Sequence, residues 1–413
     1  MTIELHSIGS VRFLIEPSSS FAVDRSNDLT LYQYLPAREG SITMTLEQPG
    51  IDPMSMVASR AEYRKEVFGP RKATLAMTLN LAPTGIAASA SIAAVSSSLG
   101  NILKTIFGGE FRGTGSSFTG GTAVAPTVTS AAGFASGSVV GRLNSSGDLE
   151  VREIKSISGN TLTLDYAFSA APTNGDVAYA GATYFITEDP QESLQFLVEG
   201  LESQDRWVLL GGQCTSYAQA IDVAGASLPS ITLTFTFADW KDSAECSGTI
   251  TGVLSDPSYN NYQPIVGYEG QCRVTTIGTT TYNVNDIVHI SAIEITPKVV
   301  FNPVTSPSGK NTIYRWRGGR LSPPVEGTFT TFFEDLEWFN ARKNSSDLAL
   351  FYQMGMDPGY AIAMSVPTIQ ILNPQRVAQG EIAGQNPTFK GRRNINNTGT
   401  NEIAKSPFKI HLL

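Results

Sequence analysis

An order of elements that occurs twice constrains this chain more than any other feature. In the middle, the apolar run Gln195–Gly200 leads to Trp207–Leu210 and then to Pro229–Trp240. Near the end, Leu350–Gly355 leads to Ala361–Pro367 and then to Pro387–Arg392. Upstream, each half carries a long alternating run and then one short amphipathic stretch. Ile231, Leu233, Phe235 and Phe237 alternate with Thr232, Thr234, Thr236 and Ala238, the period of a strand with one apolar and one wet face. A fold used twice, without a catalytic signature, points to an assembly part rather than an enzyme.

Composition agrees with that class. Only 16% of the 413 residues are charged, against 38 Gly and 22 Pro, the profile of a turn-rich, mainly β protein and not of a helical bundle. A net charge of −8 argues against binding nucleic acid by phosphate neutralisation. Cys214, Cys246 and Cys272 are far apart and odd in number, so they are expected as reduced thiols. Met1–His6 lacks a basic region followed by an apolar run, so no secretory signal is expected and the chain is placed first in the cytosol. The stretch from Ile86 to Phe107 contains Ser96–Ser98 and Gly100 and is too polar to span a bilayer.

The pass along the chain divides it. Residues 1–40 read as an extended arm, with one alternating strand over His6–Ile15 that Pro17–Ser20 breaks. Residues 41–245 form a first unit, with Arg71–Leu81 as its long alternating strand. Ile92, Val95, Leu99, Ile102, Leu103 and Ile106 form its helix, closed by Gly108 and Gly109 as a C-terminal cap. Residues 108–183 are set within it as an inserted β module, with Phe111–Ser130 read as a long loop and turns at Ser158–Asn160 and Thr173–Asp176. Residues 246–286 connect to a second unit, 287–413, with the strand Val325–Phe333 and a helix over Glu334–Lys343. That helix has acids at its start and Arg342 and Lys343 at its end, matching the helix dipole.

Catalytic and metal motifs are missing. His6, His289 and His411 are isolated, and Gly113–Gly115 does not continue into a dinucleotide fingerprint. Glu188–Asp189 and Glu334–Asp335 are adjacent carboxylates with nothing to complete a site. No cofactor or metal is expected. The positive clusters are Arg315, Arg317 and Arg320 around Trp316, and Lys390–Arg393; they are read as ion-pair partners across a subunit interface, the first above all, or as a solvated edge.

Taken together, Lys72–Leu81 with its helix, the Trp207–Leu210 and Ile231–Trp240 pair, Gly327–Phe333 with its helix, Ala361–Pro367 and the terminal strand resemble the tail tube fold of long-tailed bacteriophages. The resemblance covers most of residues 40–413. It implies two tail-tube-like β-sandwich or barrel units, each with one short α-helix, plus the small inserted β module. It further implies a structural virion protein whose rings stack into a tube for DNA passage, made in the host cytoplasm. Its partners would be copies of itself in trimeric or hexameric rings, other tail proteins at the tube ends, and DNA that passes without specific binding; no membrane is involved. Thr74, Thr78 and Asn80, with Thr328, Thr330 and Thr331, are the candidates for the lumen. The arm 1–40 and the loop 49–70 are the candidates for contacts between stacked rings. Two alternatives are a distal tail or baseplate ring of the same fold, and a carbohydrate-binding or adhesin module using Trp207, Trp240, Trp316 and Trp338.

Overall fold

The structure, a computed structural model, describes all residues except 1, 4–7, 18–20, 29–30, 39, 52–66, 84–85, 90–92, 95–96, 188–191, 201–205, 224–227, 247–264, 266–268, 280, 284–285, 300, 306–312, 319–323, 333–335, 380–381 and 395–400. The chain opens with β1 (Thr2–Ile3), β2 (Ile8–Glu16), β3 (Gln33–Tyr34) and β4 (Thr43–Glu47). A short hairpin, β5 (Gly50–Ile51) and β6 (Val67–Phe68), precedes the long β7 (Lys72–Asn80). Helix α1 (Ser98–Phe107) follows, capped by the Ser97 side chain on the Gly100 N–H and ended by Gly108 at φ +87°, a left-handed turn that glycine adopts without strain. Then come β8 (Gly108–Arg112), β9 (Ser116–Gly121), β10 (Pro126–Val128), β11 (Val139–Leu143), β12 (Leu149–Ser158), β13 (Thr161–Leu164), β14 (Val177–Ala180) and β15 (Ala182–Ile186).

The first half closes with β16 (Ser193–Gly200), β17 (Arg206–Asp222), β18 (Ser230–Phe237) and β19 (Asp239–Asp242). The rest comprises β20 (Gly270–Thr276), β21 (Ile290–Pro297), the hairpin β22 (Phe301–Thr305) and β23 (Ile313–Gly318), and β24 (Val325–Phe332). Helix α2 (Glu337–Lys343), β25 (Leu348–Met354), β26 (Ile362–Gln379), β27 (Ile382–Arg392), α3 (Glu402–Lys405) and β28 (Lys409–Leu412) complete the chain.

Eighteen strands join in one hydrogen-bonded network, and the pairings described are antiparallel. Its spine is a run of eight, β4–β7–β18–β17–β21–β24–β27–β26. The two longest strands bend out of it. The first part of β17 lies between β16 and β19, with β2 and β3 beyond β16. The first part of β26 lies between β25 and β28, with β20 beyond β25 and β15 and β8 beyond β28. Both bent layers pack over the spine, as strands that switch sheets do. Phe196 of β16 meets Phe235 and Phe237 of β18 at ring-centroid distances of 5.0 and 5.5 Å.

Between β8 and β15, strands β9 to β14 close into a six-stranded barrel. Phe118, Val128, Val140, Ile154, Leu162, Leu164 and Phe168 are buried there.

Four expectations are corrected. Residues 1–40 are not an arm: β2 pairs with β16 over its whole length, and Val11, Phe13 and Leu14 are buried. Phe111–Ser130 is not a long loop, because β9 and β10 there are barrel staves whose small residues suit a narrow barrel. The connector 246–286 supplies β20, which pairs with β25 over seven residues. The ends of the inserted segment, β8 and β15, belong to the large network rather than to the barrel.

Candidate functional site

One face of the eight-stranded spine is apolar and covered; the other is wet and rich in hydroxyls. On β7, Leu75, Met77 and Leu79 are buried while Thr74, Thr78 and Asn80 are half-buried on the opposite face. Their register partners on β18 are Thr236, Thr232 and Ser230, and the Thr78 and Thr232 hydroxyls lie 3.3 Å apart. The Thr215 hydroxyl donates to the Thr234 carbonyl at 3.2 Å. Across β17 and β21 the face continues through Ala220 opposite Glu294. It reaches Thr328, paired with Glu294 on one side and Thr388 on the other, and Thr330, paired with Ala292. The sequence candidates on both halves therefore share one surface. Thr331 is the exception: it is 3% exposed on the core side of β24, so it does not belong to the wet face.

Arg315 and Arg317 are exposed on β23, flanking Trp316, which points the other way and donates its indole N–H to the Gly211 carbonyl at 2.8 Å. Arg320, Glu188–Asp189, Glu334–Asp335 and most of loop 49–70 lie outside the described residues. In the second basic cluster, Arg392 pairs with Asp347 at 2.5 Å.

Gly211 sits at the bend of β17 with φ +62°, and a Cβ there would lie 2.8 Å from the Phe21 ring. Its N–H donates to Glu16 at 3.1 Å. Gly211→Ala is expected to destabilise by at least about 1–2 kcal/mol from the left-handed backbone alone, read as a lower denaturant midpoint. Wild-type stability would contradict it.

Burial pushes the Glu16 carboxyl up to about 7, against hydrogen bonds from Ser193 and the Gly211 and Ala22 N–H groups that oppose the rise. A folded-state value above the usual 4.5 means the contribution is full below that pH and is lost as pH rises through about 7. The amount is on the order of 3 kcal/mol. Glu16→Gln should flatten the fall of the denaturant midpoint between those pH values; an unchanged slope would contradict this.

A second polar assembly lies where the barrel docks on the second half. Lys409 of β28, wholly buried, pairs with Glu153 of β12. Nearby, burial first and the Glu153 charge second raise the Asp165 carboxyl above the usual range. Arg273 lies 4.5 Å from the Tyr166 ring and 4.8 Å from that of Phe351. Arg152 donates to the Ala167 and Val151 carbonyls at 2.9 and 2.8 Å, and burial lowers its guanidinium to about 10, still positive at neutral pH. Arg142 bonds Glu150 at 3.1 Å. A cavity of about 340 Å³ opens beside them, lined by Glu153, Asp165, Tyr166, Arg273 and Asn394 among others. The Gln353 side chain donates to the Leu149 carbonyl and accepts from the Val151 N–H, fixing the barrel to β25. His411, buried between the Thr183 and Ser365 hydroxyls, is held neutral by burial and by Lys409.

Among the described residues, no group of three or more His, Cys, Asp and Glu is placed to hold a metal. The three cysteines are free, and burial pushes the Cys214 and Cys272 thiols up to about 12. The arrangement is a clamp of ion pairs and stacked guanidinium groups. Sequence reading missed it, because Glu150 and Arg152 alternate with Leu149 and Val151 as on an ordinary half-exposed strand. No helix among the described residues is long and apolar enough to cross a membrane.

No protein-family model and no curated protein matches the chain. A solved structure of K. pneumonia MrkH in its apo state aligns at 7% identity, covering 62% of this chain and 79% of that one, with a TM-score of 0.13. A superposition that poor carries no assignment of fold or activity.

Proposed function

We propose that the chain is a phage tail tube subunit, three copies of which close into a ring of six similar units that stacks around a DNA channel. The observation that carries this reading is that seven pairings recur in the same order in both halves. β2·β16, β4·β7 and β5·β6 correspond to β20·β25, β21·β24 and β22·β23. β7·β18, β16·β17, β17·β18 and β17·β19 correspond to β24·β27, β25·β26, β26·β27 and β26·β28. Two register shifts recur with them. The shift between Leu194 and Phe196 matches that between Leu348 and Leu350, and the shift between Cys214 and Ser216 matches that between Ile371 and Asn373. One helix, α1 or α2, follows the long strand in each half.

In this reading each half gives four strands to the spine, joined at β17·β21. An open antiparallel sheet leaves edges that invite pairing, and closing it into a ring removes them. The covering layers then lie outside and the hydroxyl face, with Thr74, Thr78, Asn80, Thr328 and Thr330, faces the channel. A face of hydroxyls with few cations lets DNA pass without phosphate capture. Other tail proteins would meet the tube at its ends, and the virion tail would be the site of action. The glycan-binding alternative loses its platforms, since Trp338 is buried and Trp207, Trp240 and Trp316 are each partly covered.

Native mass spectrometry tests the reading. The smallest closed species should contain three chains. A protein monomeric at every concentration would overturn the reading, and single rings that never stack would favour the distal tail alternative.

A further inference from the structure

The joint between the two halves carries information about the joint between two copies. At that joint Gln219, Ala220, Ile221 and Asp222 of β17 face Ile295, Glu294, Ile293 and Ala292 of β21. The recurring register shifts place β17 and β26 in correspondence, and the shared pairing with the long strands does the same for β21 and β4. Carried across, Val377 takes the place of Ala220, and Thr43 that of Glu294. Residues 370–379 of β26 pair with β27 along one edge, and no other strand among the described residues pairs with them. Pro374 lies within this segment and has no N–H to donate, which confines edge pairing to the residues after it, 375–379.

On β4 the corresponding edge is occupied, but only by β1, through Thr2 opposite Thr45 and Ile3 opposite Met44. β1 makes two residue pairs on this edge, against four at the internal joint, and of the four corresponding positions, Met44 to Ser41, it covers Met44. The hairpins carry the same asymmetry. β22–β23 docks on the first half through Trp316, whereas Phe68, on the corresponding β5–β6 hairpin, is 62% exposed.

We propose that β1 is a placeholder, displaced when β26 of a second copy pairs with β4 so that Val377 of that copy lies opposite Thr43. The proposal rests on the ring reading above and names the strand exchange by which the ring closes. It assigns the exposed hairpin carrying Phe68 to the same contact. Until a second copy arrives, β1 covers an edge that would otherwise invite unspecific pairing.

Disulfide trapping tests it in the full chain. Directly opposed residues of an antiparallel pair lie within reach of a disulfide. The double variant Thr43→Cys/Val377→Cys should give a ladder of covalent multimers on oxidation, and each single variant should not. Ala220→Cys/Glu294→Cys should close within one chain, and the out-of-register pair Glu47→Cys/Val377→Cys should stay reduced. A variant lacking residues 2–7 should form rings at a concentration lower by roughly tenfold, the scale of two cross-strand pairs. Rings that form without the Thr43–Val377 cross-link overturn the proposal and leave the ring reading standing. So does truncation that abolishes rings or leaves their threshold unchanged. A chain that stays monomeric with and without residues 2–7 overturns both.

Discussion

Lys409→Ala is expected to destabilise the protein by about 3–5 kcal/mol, the cost of leaving a buried partner charge uncompensated. Lys409 is 0% exposed, and Glu153 is 6% exposed. Asp165 stands close enough to feel the Glu153 charge and is held in part by Lys409. Without the ammonium, the Asp165 carboxyl loses a charge that lowers it and keeps the Glu153 charge that raises it. The Asp165 folded value then rises further above the unfolded one, so the penalty should grow as pH rises and shrink toward acid. Replacing the pair together, Lys409→Met with Glu153→Leu, should recover much of the loss, because apolar groups of similar volume often match a buried ion pair. Denaturant titrations at acid and neutral pH check this. A loss below about 1 kcal/mol for Lys409→Ala, the scale of an exposed pair, would contradict the clamp.

The second large effect is expected in the first half. Phe196 is fully buried and touches Phe13 at 6.1 Å, Phe235 at 5.0 Å and Phe237 at 5.5 Å between ring centroids. It joins β2, β16 and β18, the contact that binds the outer layer to the spine. Phe196→Ala should cost about 3–5 kcal/mol, through lost transfer energy and the cavity left behind. Phe196→Leu should cost less, since Leu350 fills the corresponding place on β25 by register. Equal losses for the two substitutions would mean that ring contacts, rather than volume, dominate there.

Much of the spine was legible in the sequence because each of its strands has one wet face. The Leu75, Met77 and Leu79 alternation on β7, and the Ile231 to Phe237 alternation on β18, mark both the strand and its buried side. Helix α1 could be read from its spacing and its glycine end, although it starts at Ser98, where the Ser97 hydroxyl caps it. Helix α2, expected over Glu334–Lys343, is described over Glu337–Lys343, and Glu334 and Asp335 lie outside the described residues.

The missed parts share a cause. In β9 and β10, glycine and threonine read as loop, yet a narrow closed barrel accepts small residues along its staves. The strand expected over His6–Ile15 is present as β2, but its place in the sheet and the whole of β20 were not legible, because their partners β16 and β25 lie far along the chain. The buried charges went unseen for a related reason. Leu149 to Ile154 are buried on both faces, one turned into the barrel and one against β25 and β28, and alternation cannot signal two buried sides. Of the candidate surface, the threonine rows were visible; their union across β17·β21 into one sheet depends on long-range pairing that no local pattern contains.

Electron microscopy of the purified protein, with class averages viewed down the particle axis, tests the central claim most directly. The account predicts rings or stacked tubes with a central hole, threefold averages, and six similar lobes in each ring, every second lobe bearing the extra mass of the inserted barrel. Solid monomeric particles at high protein concentration would contradict it.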